Sequence, residues 1–256
     1  MYQNVLFYEF TKIDEPELFR DEHRLITKAL NLLGKIVVSK EGINGNVSGS
    51  KHETKQYMNV LRQRFPNIEF KIGRTTSHNF NKMVVKCRPE IITLKQEVDM
   101  SQRGEYIKAE ELKKLLDQGE DVVLLDGRNK YEADFGTFKG AIVPDVNTFK
   151  EFPEFIEKNL SELKNKQIVT FCTGGIRCEK LTAYMKQQGF SDIKQLEGGI
   201  LTYGEEVGGK HWDGECFVFD ERLAVDMNNV QAVHENRENT ACANPAYFKY
   251  KLQEES

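Results

Sequence analysis

The stretch Gln167-Ile-Val-Thr-Phe-Cys-Thr-Gly-Gly-Ile-Arg-Cys178 decides how the second half of the chain folds. Gln167–Phe171 is short, apolar and β-rich, the pattern of a strand buried on both faces. A tight turn follows at Cys172-Thr-Gly-Gly175, and residues 176–188 then carry Leu181, Tyr184 and Met185 at helical spacing, with Gly189 as the stop. A buried strand that runs through paired glycines into a helix builds a cradle for an anion. The glycines let successive amide hydrogens converge on one point, and the helix N-terminus adds partial positive charge there. Both effects lower the pKa of a thiol at the base of the turn, which makes Cys172 the candidate nucleophile. Arg177, five residues further on, is placed to set a guanidinium against an anionic substrate or intermediate.

Outward from this loop, residues 109–116 have a helical pattern, 121–125 an apolar strand and 154–163 another helix. Strands alternating with helices imply a parallel sheet flanked by helices. Toward the N-terminus the order changes. A strand is expected at 4–10, and Asp14 is the expected N-cap of a helix with Pro16 in its first turn. Leu18, Phe19, Leu25, Ile26, Ala29, Leu30 and Leu33 form the apolar stripe of that helix, and Gly34 stops it. A strand at 35–39 and a turn within 41–45 precede a second helix. Ser50 and Glu53 form its capping box, and Tyr57, Met58, Leu61 and Phe65 its buried stripe. Strands at 67–72 and 82–94 complete a β-α-β-β-α-β order, that of a ferredoxin- or acylphosphatase-like α+β domain. Residues 95–104 are polar and aperiodic, as a linker is. The expected domains are 1–95, 104–207 and an irregular C-terminal extension over 208–256.

With 256 residues, 39% hydrophobic and 30% charged, the chain has the composition of a globular protein of two domains. It contains no apolar run of roughly eighteen residues and no signal-peptide pattern at its start, so no membrane role and a cytoplasmic location are expected. Five cysteines at irregular spacing make a poor disulfide framework and suit a reducing compartment. A net charge of −4 excludes a protein that coats nucleic acid unspecifically and leaves room only for a local basic patch. Nothing in the sequence selects an oligomeric state.

Residues 105–206 resemble a rhodanese domain. The resemblance rests on Asp126-Gly-Arg128, Tyr131-Glu-Ala-Asp-Phe-Gly136, Phe138-Lys-Gly-Ala141, the loop Cys172, Thr173, Gly174, Gly175, Ile176, Arg177 and Cys178, and Glu197-Gly-Gly-Ile200. Asp126 and Arg128 are expected to lock a strand end and support the loop. Cysteine phosphatases of related fold need five residues between cysteine and arginine; four lie between Cys172 and Arg177, which disfavours a phosphate substrate.

Glu41-Gly-Ile-Asn-Gly-Asn-Val-Ser-Gly49, Lys86-Cys-Arg-Pro-Glu-Ile-Ile-Thr-Leu94 and Gly214-Glu-Cys-Phe-Val-Phe-Asp-Glu-Arg222, in order around that loop, resemble the tRNA uridine hydroxylase family over residues 4–222. The resemblance implies an oxidoreductase that uses molecular oxygen as co-substrate to convert the wobble uridine of certain tRNAs to 5-hydroxyuridine; the sequence identifies no cofactor and leaves open how oxygen is activated. It also implies a required loop cysteine, which falls on Cys172. The partner it implies is tRNA at its anticodon region. Lys82, Lys86 and Arg88 alternate on one strand, with Lys40 nearby, and are the candidate RNA contacts; a charged face that only keeps the strand soluble is the competing reading.

Many members of that family carry a cysteine-rich C-terminal cluster fit for zinc. This tail has only Cys216 and Cys242, with His211 and His234, and lacks a Cys-x-x-Cys pair, so no metal is expected. Two readings of Cys178 stand: a resolving thiol for an oxidised Cys172, or a small packed residue. Two rival functions also stand. One is a sulfurtransferase carrying a persulfide on Cys172, and the other a non-catalytic interaction module, against which the intact loop counts.

Overall fold

The computed structural model describes residues 1–230 and 232–234. Its described residues fall into two units. The first holds Met1–Thr93, Phe219–Arg222 and the short strand Val233–His234; the second holds Leu94–Val218 and Leu223–Val230.

The first unit runs β1 (Tyr2–Phe10), α1 (Pro16–Ala29), β2 (Leu33–Ser39), β3 (Gly42–Ser50), α2 (Lys51–Arg64), β4 (Glu69–Thr75) and β5 (Met83–Cys87). β1 pairs antiparallel with β3 and β4, β2 antiparallel with β3 and parallel with β5, and Val233–His234 adds a parallel edge to β4. The capping box at α2 is complete: Glu53 N–H donates to the Ser50 hydroxyl at 3.3 Å and Ser50 N–H to the Glu53 carboxylate at 2.7 Å. Phe19, Tyr57, Met58, Leu61 and Phe65 pack with Val5, Phe7, Ile36, Val38 and Val47 in one core.

Three local expectations are corrected. Asp14 does not cap α1; the N-cap is Glu15, without a side-chain bond, and Asp14 pairs with Lys12. The buried stripe of α1 is Phe19, His23 and Thr27, while Leu18 and Leu25 are 63% and 71% exposed. The turn lies at Lys40 and Glu41, at the edge of the expected 41–45, and Gly42 to Gly45 is already strand; Gly45 lies opposite Phe7, whose ring a Cβ there would meet at 2.3 Å.

The second unit runs β6 (Glu105–Ile107), α3 (Ala109–Gln118), β7 (Val123–Asp126), α4 (Lys130–Ala133), β8 (Gly136–Phe138), α5 (Phe152–Asn159), β9 (Gln167–Phe171), α6 (Ile176–Gln187), β10 (Asp192–Leu196) and α7 (Gly199–Glu206). The sheet is parallel, in the order β6-β10-β9-β7. β9 is therefore an inner strand, and Cys172 sits at its carboxyl end, where parallel α/β sheets place their ligands.

The extension expected to be irregular is also corrected over its described part. β11 (Trp212–Gly214) pairs antiparallel with β8, and β12 (Cys216–Phe217) with β13 (Ala224–Val225). Trp212, Cys216, Val218, Val225, Met227 and Val230 join the core of this unit beside Phe138, Phe171 and Tyr203. Burying these apolar side chains gives the segment its order, which short strands without strong alternation did not announce in the sequence. Among the described residues, no helix is long and apolar enough to cross a membrane. Cys242 lies outside the described residues.

Candidate active site

β9 delivers Cys172 to the start of the loop, and Gly175, at φ 100°, makes the left-handed turn into α6 that a side chain would oppose. The turn brings amides back onto the sulfur. Gly175 N–H donates to Cys172 Sγ at 3.2 Å, and the Cys178 thiol and the amides of Arg177 and Cys178 add their pull on a charge there. Cys172 is 1% exposed. Burial works to raise its pKa, but the Cys178 thiol, the Arg177 charge and the loop amides outweigh burial and hold it well below the usual thiol range. Cys178 goes the other way: burial and the charge on Cys172 keep its proton on.

The loop is clamped from behind by α7. Ile200 N–H donates to the Cys172 carbonyl at 2.9 Å and Leu201 N–H to that of Thr173 at 3.1 Å. A Cβ on Gly199 would lie 2.5 Å from the Cys172 carbonyl oxygen, so the Glu197-Gly-Gly-Ile200 segment keeps glycine where two backbones touch. The Thr173 hydroxyl is buried and has no hydrogen-bond partner among the described residues.

Arg177 does not present its guanidinium to open space. Its two terminal nitrogens donate to the two carboxylate oxygens of Glu132 at 2.6 and 2.7 Å, and both side chains are buried. Glu132 is the site residue that sequence reasoning missed. It sits at the third position of α4, where it also accepts from Asn129 N–H at 3.0 Å. Its spacing after Asn129 is a capping signal that conceals the longer-range role.

Asp126 and Arg128 are fully buried and close on each other: Arg128 Nε donates to Oδ1 at 2.9 Å and Nη2 to Oδ2 at 2.6 Å. Arg128 also bonds the Gly136 carbonyl and Thr137 bonds Asp126, which ties the end of β7 to β8. Asp220 and Arg222 repeat the pair in the first unit, at 2.7 and 2.6 Å, with no reactive loop in that unit. An Asp-x-Arg pair is thus a lock in this protein wherever it occurs.

The candidate RNA contacts lie in the first unit. Backbone bonds from Gly34 N–H to Lys82 O and from Arg88 N–H to Val38 O extend the β5 ladder at both ends, so Lys82, Lys86 and Arg88 alternate onto one face. Lys86 lines a cleft of about 750 Å³ with Arg24 and Lys28 of α1, two cations the sequence reading did not single out. Lys40 is exposed in the turn between β2 and β3. Among the described residues, no group of three or more potential metal ligands gathers.

A four-stranded parallel sheet whose inner strand feeds an amide-cradled thiol into a helix defines a rhodanese-like domain, and residues 108–206 match the family of that description. Residues 2–91 match the UPF0176 acylphosphatase like domain. The tRNA uridine(34) hydroxylase of Bacillus velezensis is 42% identical over 97% of this chain and 82% of its own length. That of Staphylococcus saprophyticus is 46% identical over 90% of this chain and 74% of its own. The chain belongs to the tRNA uridine(34) hydroxylase family. Among solved structures, the rhodanese-like domain of an Anabaena protein is 21% identical, covering 43% of this chain and 78% of that domain, with a TM-score of 0.37.

Proposed function

We propose that this protein hydroxylates C5 of uridine 34, the wobble base of tRNA, with molecular oxygen as co-substrate and the Cys172 thiolate as nucleophile. It is an oxidoreductase of tRNA modification, at work in the cytoplasm on the anticodon region. The observation that carries the reading is the thiol of Cys172, held ionised by loop amides in a chain whose relatives bear that enzyme's name.

Addition of the thiolate to C6 of uracil makes C5 an enolate carbon, rich enough in electrons to meet oxygen. Covalent catalysis of this kind splits one hard step into two. Arg177, held by Glu132, acts as a fixed charge that favours the thiolate and is a positioning residue. The unpartnered Thr173 hydroxyl is assigned to a uracil carbonyl. Lys40, Lys82, Lys86 and Arg88 are assigned to tRNA phosphates, together with Arg24 and Lys28, which share a cleft with Lys86.

The test is mass spectrometry of nucleosides from tRNA incubated with the protein, in air and under nitrogen, with Cys172→Ala alongside. The reading expects one added oxygen on uridine that needs both air and Cys172. The loop, with four residues between cysteine and arginine, also suits a sulfurtransferase. No added oxygen, with sulfur transfer to cyanide instead, would establish that rival.

A further inference from the structure

Replacing the C5 hydrogen of uridine by hydroxyl takes up one atom of molecular oxygen. The other atom leaves as water only when two more electrons and two protons are supplied. A thiolate that merely adds to C6 and leaves again supplies neither, so the reaction needs a two-electron donor at the reacting carbon.

Two free, buried thiols flank the loop there. Cys172 closes β9 and Cys178 is the third residue of α6; the loop between them is folded back by Cys178 N–H donating to the Gly175 carbonyl at 3.0 Å. Each thiol acts on the other's pKa across the loop, Cys178 lowering that of Cys172 and Cys172 raising that of Cys178, and the two residues are 0% and 1% exposed, Cys178 first. Gly127, at the end of the neighbouring strand, borders Cys178: a Cβ there would lie in ordinary contact, 3.7 Å, with its sulfur.

We propose that Cys172 and Cys178 together are the two-electron donor of the hydroxylation, with Cys178 the catalytic residue that reduces the peroxide. This rests on the hydroxylase reading above and extends it. The Cys172 thiolate bonds C6, and the C5 enolate carbon bonds oxygen to give, after protonation, a C5 hydroperoxide. Cys178, as thiolate, attacks the distal oxygen; the O–O bond breaks, leaving a sulfenic acid on Cys178 and an alkoxide on C5 that takes a proton. Loss of the C5 hydrogen as a proton expels Cys172 from C6 and leaves 5-hydroxyuridine. Cys172 then displaces hydroxide from the sulfenic acid, which forms the Cys172–Cys178 disulfide and, with a proton, water. Uridine, oxygen and two thiols become 5-hydroxyuridine, disulfide and water, so atoms and electrons balance. The order suits the site: Cys178 keeps its proton through burial and the charge on Cys172, and that charge vanishes once Cys172 is bonded to carbon. A dithiol reductant, protein or small molecule, must reopen the disulfide before the next turnover.

The experiment is a single-turnover measurement on the full chain. The protein is reduced, freed of reductant under nitrogen, and mixed with tRNA and oxygen; 5-hydroxyuridine and the Cys172–Cys178 disulfide are then quantified by mass spectrometry. The proposal expects a burst that stops at one product per protein, an equal amount of disulfide, and many turnovers once dithiothreitol is added. Cys178→Ser is expected to give about a tenth of that burst or less. A wild-type burst without disulfide, several products per protein without reductant, or a full burst from Cys178→Ser overturns it. Absence of 5-hydroxyuridine from the wild type even with excess dithiothreitol sinks the hydroxylase reading itself and this proposal with it.

Discussion

Cys172 and Cys216 lie in the same unit, 1% and 0% exposed, and their acidities run in opposite directions. Cys216, on β12, donates to the Phe217 carbonyl, and burial pushes its pKa up to about 12. Arg128 pulls the other way, but its charge is closed off by Asp126. Cys172 meets the same burial and overcomes it, because the Cys178 thiol, the Arg177 charge and the loop amides act on its sulfur. Arg177 is paired with Glu132 much as Arg128 is with Asp126, so a nearby cation does not by itself separate the two thiols. The Cys178 thiol and the loop amides do. Burial isolates a thiol, and the loop around it decides whether it becomes an anion.

Substitutions can break or sharpen that contrast. The largest effect belongs to Cys172→Ala, which is expected to lower single-turnover hydroxylation by more than about a thousandfold, whereas Cys216→Ala keeps it within about twofold. Equal losses would erase the distinction. The double variant Arg177→Met with Glu132→Met removes a buried ion pair whole, so its urea stability should stay within about 2 kcal/mol of the wild type. Without the cation the Cys172 pKa rises, and the rate at neutral pH should fall about 10- to 100-fold. An unchanged rate would leave the Cys178 thiol and the amides as the cause. Gly199→Ala presses a methyl against the Cys172 carbonyl and is expected to cost about 1–3 kcal/mol in urea melts, with about a tenfold loss of rate as the loop shifts. Lys86→Ala should act least: tRNA affinity falls about threefold and its salt dependence flattens by about one charge, with the maximal rate unchanged.

What the sequence disclosed was local. The strand at Gln167–Phe171, the glycine turn and α6 follow from neighbours in the chain, as does the capping box of Ser50 and Glu53. The core face of α1 keeps Phe19, Ile26 and Leu30 of the expected stripe, but Leu18 and Leu25 face out while His23 and Thr27 are buried, a difference hydrophobicity alone does not show. Those polar residues are buried with partners supplied, His23 Nδ1 against the Tyr57 hydroxyl at 2.7 Å and Thr27 Oγ1 against the His23 carbonyl at 2.7 Å. Glu132 and Arg177 are 45 positions apart, and no local pattern joins them. The segment from Trp212 to Val230 was hidden for a similar reason: its apolar residues match a core built by distant strands and not a period of their own.

The most direct test of the central claim is the pH titration of the Cys172 thiolate, read as the ultraviolet thiolate absorbance of the wild type minus that of Cys172→Ala. A thiol with a depressed pKa stays ionised until the pH falls through that value. The expected difference signal is therefore present at neutral pH and lost only in the acid range, below the free-cysteine pKa of about 8.5. The matching difference for Cys216→Ala is absent at neutral pH. A Cys172 signal that appears only at or above about 8.5 would contradict the account, because the loop would then be a fold element without an activated thiol.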